Sequence, residues 1–108
     1  LDAVTFPTGS STVASQAHDQ IGRVADLLLA YPDVTVEIGG YTDAPGSTTI
    51  NARLSKERAD NVRQAMIDRG VESARVTAKG YGEQDPAETT SGESAANRRV
   101  VVRVMKRG

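Results

Sequence analysis

Two hydrophobic periods divide this chain. Ile21, Val24, Ala25, Leu28 and Leu29 recur at i, i+3, i+4, i+7 and i+8, the buried face of a first helix. Ser15 supplies its N-cap and Tyr31-Pro32-Asp33 stops it. Val34, Val36 and Ile38 then alternate with Thr35, Glu37 and Gly39, a period of two that predicts a strand with one face buried. The strand-like run ends at Gly39-Gly40. From about Asn51 to Arg69 the helical period returns, with Leu54, Val62, Ala65 and Met66 as the apolar stripe and Gly70 placed as a C′ glycine. Lys56, Glu57, Asp60, Arg63 and Gln64 take the solvent side.

Shorter runs complete the pattern. Ala3-Val4-Thr5-Phe6 predicts a first strand, broken by the turn residues from Pro7 to Thr12. Arg75 to Tyr81 predicts a third strand with weaker alternation. Gly82 to Ser94 is a long polar loop. Arg99 to Val104 is a last strand, nearly continuous in β-branched residues, as expected of a central one. The order β-α-β-α-β-β predicts an α+β fold. Right-handed crossovers would give a mixed four-stranded sheet with two main helices packed on one face and the other face partly exposed.

One residue does not fit its helix. Arg58 is i+4 from Leu54 and i−4 from Val62, so it lies within the apolar stripe. Asn51, two turns earlier, shares its face. A guanidinium aimed at a sheet needs an answer, since breaking a buried ion pair costs about 3–5 kcal/mol. Asp43, in the loop Tyr41-Thr42-Asp43-Ala44-Pro45-Gly46, flanks the same loop–helix junction and is the candidate partner. Two readings follow. Asp43 and Arg58 form a structural bridge that pins the loop to the helix, or both line one pocket and meet the opposite charges of a small zwitterion. Arg's planar fork suits a carboxylate, and Asp suits an ammonium.

The spacing Thr42-Asp43-x-x-Gly46, Asn51-x-x-Leu54-Ser55-x-x-Arg58-Ala59-x-x-Val62, Gly70-Val71, Arg75-Val76, Gly80-Tyr81-Gly82 and Asn97-Arg98-Arg99-Val100 resembles the OmpA-like C-terminal domain. This is the peptidoglycan-associating module shared by OmpA, the peptidoglycan-associated lipoprotein and MotB. The resemblance runs from Phe6 to Val104. It implies non-covalent binding of peptidoglycan at the meso-diaminopimelate of the peptide stem, with Asp43 on the ligand's ammonium and Arg58 on its carboxylate. It also implies ligand-binding roles for Asn51, Thr42, Leu54, Tyr41 and Arg98, and for Gly9 and Ser10 in the loop after the first strand. Two residues depart from the family pattern. Tyr41 stands where His is most often found, which implies retained binding with altered contacts. Pro7 stands where an acid often follows the Phe, which removes that loop's charged contact.

Composition narrows the alternatives. The chain has 108 residues, one ordinary domain spanning 1–108, with 38% hydrophobic and 25% charged residues. Aromatics are 4%, so the core must be aliphatic. A net charge of −1 and the lack of a basic tract give no reason to expect nucleic acid. There is no Cys, which excludes disulfides and thiolate metal sites. His18 is the single histidine and is expected to be an exposed helix residue, so no metal or other cofactor is expected. No apolar run approaches the roughly 20 residues needed to span a bilayer.

The chain begins at Leu1, directly in a strand-like run. It is expected to be a domain excised from a longer exported protein, membrane-anchored elsewhere, working in the periplasm attached to the wall. A weak homodimer is compatible with this reading. Three functional classes stand. The first is a wall-binding module that anchors the parent protein or the outer membrane. The second is a hydrolase using Asp43 as base, which lacks a nucleophile or metal, so no enzyme is expected. The third is a protein–protein interaction domain of the envelope that does not touch the wall.

Overall fold

The computed structural model describes residues 4–5, 15–42, 48–82 and 99–106. They form β1 (Val4–Thr5), α1 (Ser15–Ala30), β2 (Thr35–Tyr41), α2 (Thr48–Asp68), a 3₁₀ turn at Ser73–Arg75, β3 (Val76–Gly82) and β4 (Arg99–Lys106). The fold is α+β, with two helices and a mixed sheet. β2 pairs parallel with β3, from Val36↔Val76 to Tyr41↔Gly82, and antiparallel with β4, from Thr35↔Lys106 to Gly40↔Val100. Val4 and Thr5 pair antiparallel with Val100 and Arg99.

The core is aliphatic. Ala17, Ile21, Ala25 and Leu28 of α1 meet Val36 and Ile38 of β2, Ala59, Val62 and Met66 of α2, Val76 and Val100. On β4 the register sets Val100, Val102 and Val104 opposite Gly40, Ile38 and Val36. These valines therefore share the helix-facing side, and Arg99, Val101 and Arg103 take the other. The last strand is thus an alternating one rather than a uniformly apolar one. Leu29, expected in the α1 stripe, is 47% exposed. The buried face of α1 centres instead on Ala17, Ile21, Ala25 and Leu28, and Leu29 falls beyond its edge.

The ends of α2 differ from each other in legibility. Its C-terminus is as the glycine suggests: Gly70 has φ 104°, Gly70 N–H donates to the Ile67 carbonyl at 2.9 Å, and Val71 N–H donates to the Met66 carbonyl at 3.3 Å. Those two bonds form a Schellman motif. Its N-terminus lies at Thr48, three residues before the expected start. β2 likewise runs through Gly39-Gly40 to Tyr41 instead of stopping at the glycines. The reason is contact with α2. A Cβ on Gly40 would lie 1.9 Å from the Ser55 carbonyl oxygen, and one on Gly80 would lie 2.7 Å from the Lys56 nitrogen. The glycines are where helix and sheet backbones touch, and they are not breakers here.

Arginines stitch the loops to this frame. Arg75 donates from Nε to the Val34 carbonyl at 3.1 Å and from Nη2 to those of Leu28 and Tyr31 at 2.6 and 2.8 Å. It thereby satisfies the Leu28 carbonyl in the last turn of α1 and ties that turn to the segment leading into β2, where the Tyr31 carbonyl also accepts the Val34 N–H at 3.1 Å. Arg63, placed on the solvent side by its periodicity, is half-buried and donates to the Val76 and Ser73 carbonyls.

Candidate functional site

The buried face of α2 is polar at its N-terminal half. Asn51, Ser55 and Arg58 are all buried, and Arg58 is 0% exposed. Arg58 is the largest fully buried side chain among the described residues. Its Nη1 donates to the Tyr41 carbonyl at 3.3 Å, across the helix–sheet interface. The expectation that a guanidinium sits within the apolar stripe is therefore met. Leu54 is only half-buried and lies at the rim, because Ser55 and Ala59 face the sheet in its stead. Small residues there let α2 approach Gly40 and Gly80.

Tyr41 ends β2. Its ring lies on the sheet face away from α2, stacked on Tyr81 with centroids 5.1 Å apart. The Arg99 guanidinium sits 4.0 Å over the Tyr41 ring, and Lys79 Nζ lies 4.9 Å from the Tyr81 centroid. Glu37 accepts the Tyr81 hydroxyl at 2.5 Å and pairs with Arg103 at 3.7 Å. The bond to Glu37, and then burial, raise the Tyr81 pKa above the usual phenol value. The Tyr41 hydroxyl beside Arg103 raises that guanidinium's pKa in turn. So Tyr41 turns its carbonyl to Arg58 and its ring to the opposite face.

Thr42 follows at once. It is buried, its N–H donates to the Gly82 carbonyl at 2.8 Å, and its hydroxyl has no hydrogen-bond partner among the described residues. Asp43, Arg98, Gly9 and Ser10 lie outside the described residues. The structure therefore brings Tyr41, Thr42, Asn51 and Arg58 to one end of β2, with Leu54 at the rim. Two neighbours escaped the sequence. Ser55 stood in the quoted spacing between Leu54 and Arg58 with no role assigned to it, and Arg99 stood beside the arginine singled out. The second had a signal, the alternation Arg99-Val101-Arg103.

Among the described residues no three metal-ligating side chains cluster, and no helix is long and apolar enough to cross a membrane. His18 is exposed and offers its carbonyl to Arg69. A cavity of about 570 Å³ opens at the other end of β2, lined by Val24, Leu28, Val34, Val36, Val102 and Val104 among others. Its walls are mostly aliphatic, with Tyr31 and Asp33 among them, and none of the candidate site residues lines it.

Comparison with known proteins agrees with this frame. The model of the OmpA family matches residues 5–99. The chain is 38% identical over 99 residues to outer membrane porin F of Pseudomonas fluorescens, covering 90% of this chain and 30% of that protein. It is 38% identical over 101 residues to the probable lipoprotein YiaD of Escherichia coli, covering 92% and 46%. It thus spans less than half the length of either relative. Among solved structures, the peptidoglycan-associated lipoprotein from Burkholderia pseudomallei superposes with a TM-score of 0.92 at 29% identity, covering 97% of this chain and 91% of that one. The C-terminal domain of Helicobacter pylori MotB superposes at 0.87, with 98% and 85% covered, and at 23% identity it shares the fold alone. With the family model covering nearly the whole chain, the protein belongs to the OmpA family.

Proposed function

We propose that this domain binds cell-wall peptidoglycan non-covalently through the diaminopimelate of the peptide stem. The observation that carries the proposal is Arg58, a fully buried guanidinium beside the strand end that leads into Thr42-Asp43. On this reading Arg58 receives the ligand's carboxylate and Asp43 its ammonium. Thr42 adds a buried hydroxyl, and Asn51, Leu54, Tyr41, Arg98, Gly9 and Ser10 complete the surroundings. The relatives' names give the setting: an outer membrane porin, a lipoprotein and a peptidoglycan-associated lipoprotein. The domain would act in the periplasm and tie a membrane-anchored parent protein to the wall. It acts as a binding module and not as a catalyst.

Purified sacculi test the proposal. Co-sedimentation without release of soluble fragments supports wall binding. Released fragments would point to a hydrolase, and no sedimentation to a protein partner. Stems with diaminopimelate should bind better than stems with lysine, which lack the side-chain carboxylate. Equal affinity for both would remove Arg58 from recognition.

A further inference from the structure

Two buried polar residues on α2, three positions apart, hold the ends of both parallel strands. Arg58 donates to the Tyr41 carbonyl. Ser55 Oγ donates to the Ala52 carbonyl at 2.9 Å and accepts the Gly82 N–H at 3.0 Å. The Gly82 carbonyl in turn accepts the Thr42 N–H at 2.8 Å. The Tyr41 carbonyl and the Thr42 N–H belong to one peptide group. That group is therefore gripped on both sides, by Arg58 directly and by Ser55 through Gly82. The circuit begins and ends on the same helix.

A hydroxyl is the side chain that can close it. It donates once and accepts once at a single atom, and Ser55 uses both capacities. Alanine can do neither. The space admits little else, because a Cβ on Gly80 would already lie 2.8 Å from Ser55 Oγ. Gly82 has φ 61°, a backbone shape that glycine adopts without strain, with its N–H on Ser55 and its carbonyl on Thr42.

We propose that Ser55 is a positioning residue for ligand binding. Through Gly82 it fixes the plane of the Tyr41–Thr42 peptide, and so both the carbonyl that Arg58 holds and the point from which the chain continues to Asp43. This rests on the reading that Arg58 and Asp43 receive the two charges of the ligand. If the peptide rotates, the Tyr41 carbonyl leaves Arg58, and the guanidinium is no longer aimed by the strand end.

The test is Ser55→Ala, with Val62→Ala as a control that truncates the core away from the circuit. Amide hydrogen exchange is followed residue by residue, and affinity is measured with a diaminopimelate-containing stem peptide. In Ser55→Ala, exchange at Gly82 and Thr42 should speed up about tenfold while Ile38 and Val76 keep their protection, and affinity should fall about three- to tenfold. Val62→Ala should lower stability more and leave affinity unchanged. Ser55→Cys, with a weaker donor and acceptor, should fall between parent and alanine, and it carries the test if alanine does not fold. Unchanged Thr42 exchange in Ser55→Ala would overturn the circuit. Parental affinity in that variant would overturn the positioning role while leaving the peptidoglycan reading intact. A parent domain that does not bind the stem peptide would overturn both.

Discussion

Replacing Arg58 by methionine distinguishes a charge kept for a ligand from one kept for the fold. Methionine is of similar length and bears no hydrogen-bonding head, so Arg58→Met removes the guanidinium and its 3.3 Å bond to Tyr41 without opening a large cavity. Two terms then oppose each other. A lost donor to a buried carbonyl costs about 1–3 kcal/mol. Relief from burying a cation with no exposed surface returns roughly 1–4 kcal/mol in cases where apolar residues replace buried charges. The net change for a ligand-binding arginine thus runs from about 2 kcal/mol of destabilisation to about 3 kcal/mol of stabilisation. A structural bridge behaves otherwise, because the partner carboxylate is left without its cation, at about 3–5 kcal/mol. Binding gives the complementary readout. A charge-assisted hydrogen bond is worth about 1.5–3 kcal/mol, so affinity for the stem peptide should fall about tenfold to a hundredfold. Arg58→Lys keeps the charge and loses the fork, so it should lie in between. Urea unfolding and calorimetric titration measure the two quantities on the same samples. Parental affinity in Arg58→Met would refute the assignment. Severe destabilisation with unaltered affinity of the folded fraction would make Arg58 a structural bridge.

Neighbouring glycines should behave differently: Gly40→Ala drives a methyl into the Ser55 carbonyl oxygen and should cost about 3 kcal/mol or more in urea unfolding, whereas Gly39→Ala meets only side chains, the Tyr81 ring at 2.9 Å and the Tyr41 ring at 3.5 Å, and should cost less, about 1–2 kcal/mol. Equal costs would refute the backbone contact between α2 and β2. Arg75→Met removes the bonds to the Leu28, Tyr31 and Val34 carbonyls together, with the Tyr31 carbonyl keeping the Val34 N–H, and should lower stability by about 2–3 kcal/mol with stem-peptide affinity unchanged. The raised Tyr81 pKa means that folding favours the protonated phenol, so this contribution is whole below about pH 10 and is lost as pH rises through the folded-state value. Above about pH 10 the parent should therefore lose stability more steeply than Tyr81→Phe, and parallel curves would show that the Glu37 bond contributes nothing.

The two helices and β2 were legible because each carries a clean period. Val36 and Ile38 bury as alternation requires, and Ile21, Ala25 and Leu28 bury as the helical period requires. The misplacement of Arg58 in an apolar stripe was legible for the same reason, since a cation at that position breaks the rule that its neighbours obey. What periodicity could not show was how closely helix and sheet approach. Gly39-Gly40 looks like a strand terminator in one dimension. In three dimensions Gly40 is the point where a second backbone arrives, so the strand runs on to Tyr41 and α2 begins earlier, at Thr48. Ser55 stood in the recognised spacing, but its role was not legible for a related reason: its partner Gly82 is 27 residues away, and no local pattern records a bond that long.

The end of β2 is held from both sides of the sheet. On the helix side the grip is polar and backbone-directed, Arg58 on the Tyr41 carbonyl and Ser55 through Gly82 on the Thr42 N–H. On the other side it is aromatic, with the Tyr41 ring between Tyr81 and Arg99. A strand end near a loop ordinarily frays, since few contacts oppose its opening. Here the last peptide of the strand has both hydrogen-bonding groups occupied and its side chain stacked. On the proposed reading, Arg58 is consequently aimed by a fixed carbonyl before the ligand arrives. Such preorganisation removes an ordering cost that binding would otherwise have to overcome. It also explains how a tyrosine is accommodated before Thr42: the ring is taken up by the face away from α2, and what Arg58 meets is a carbonyl that any residue at position 41 supplies.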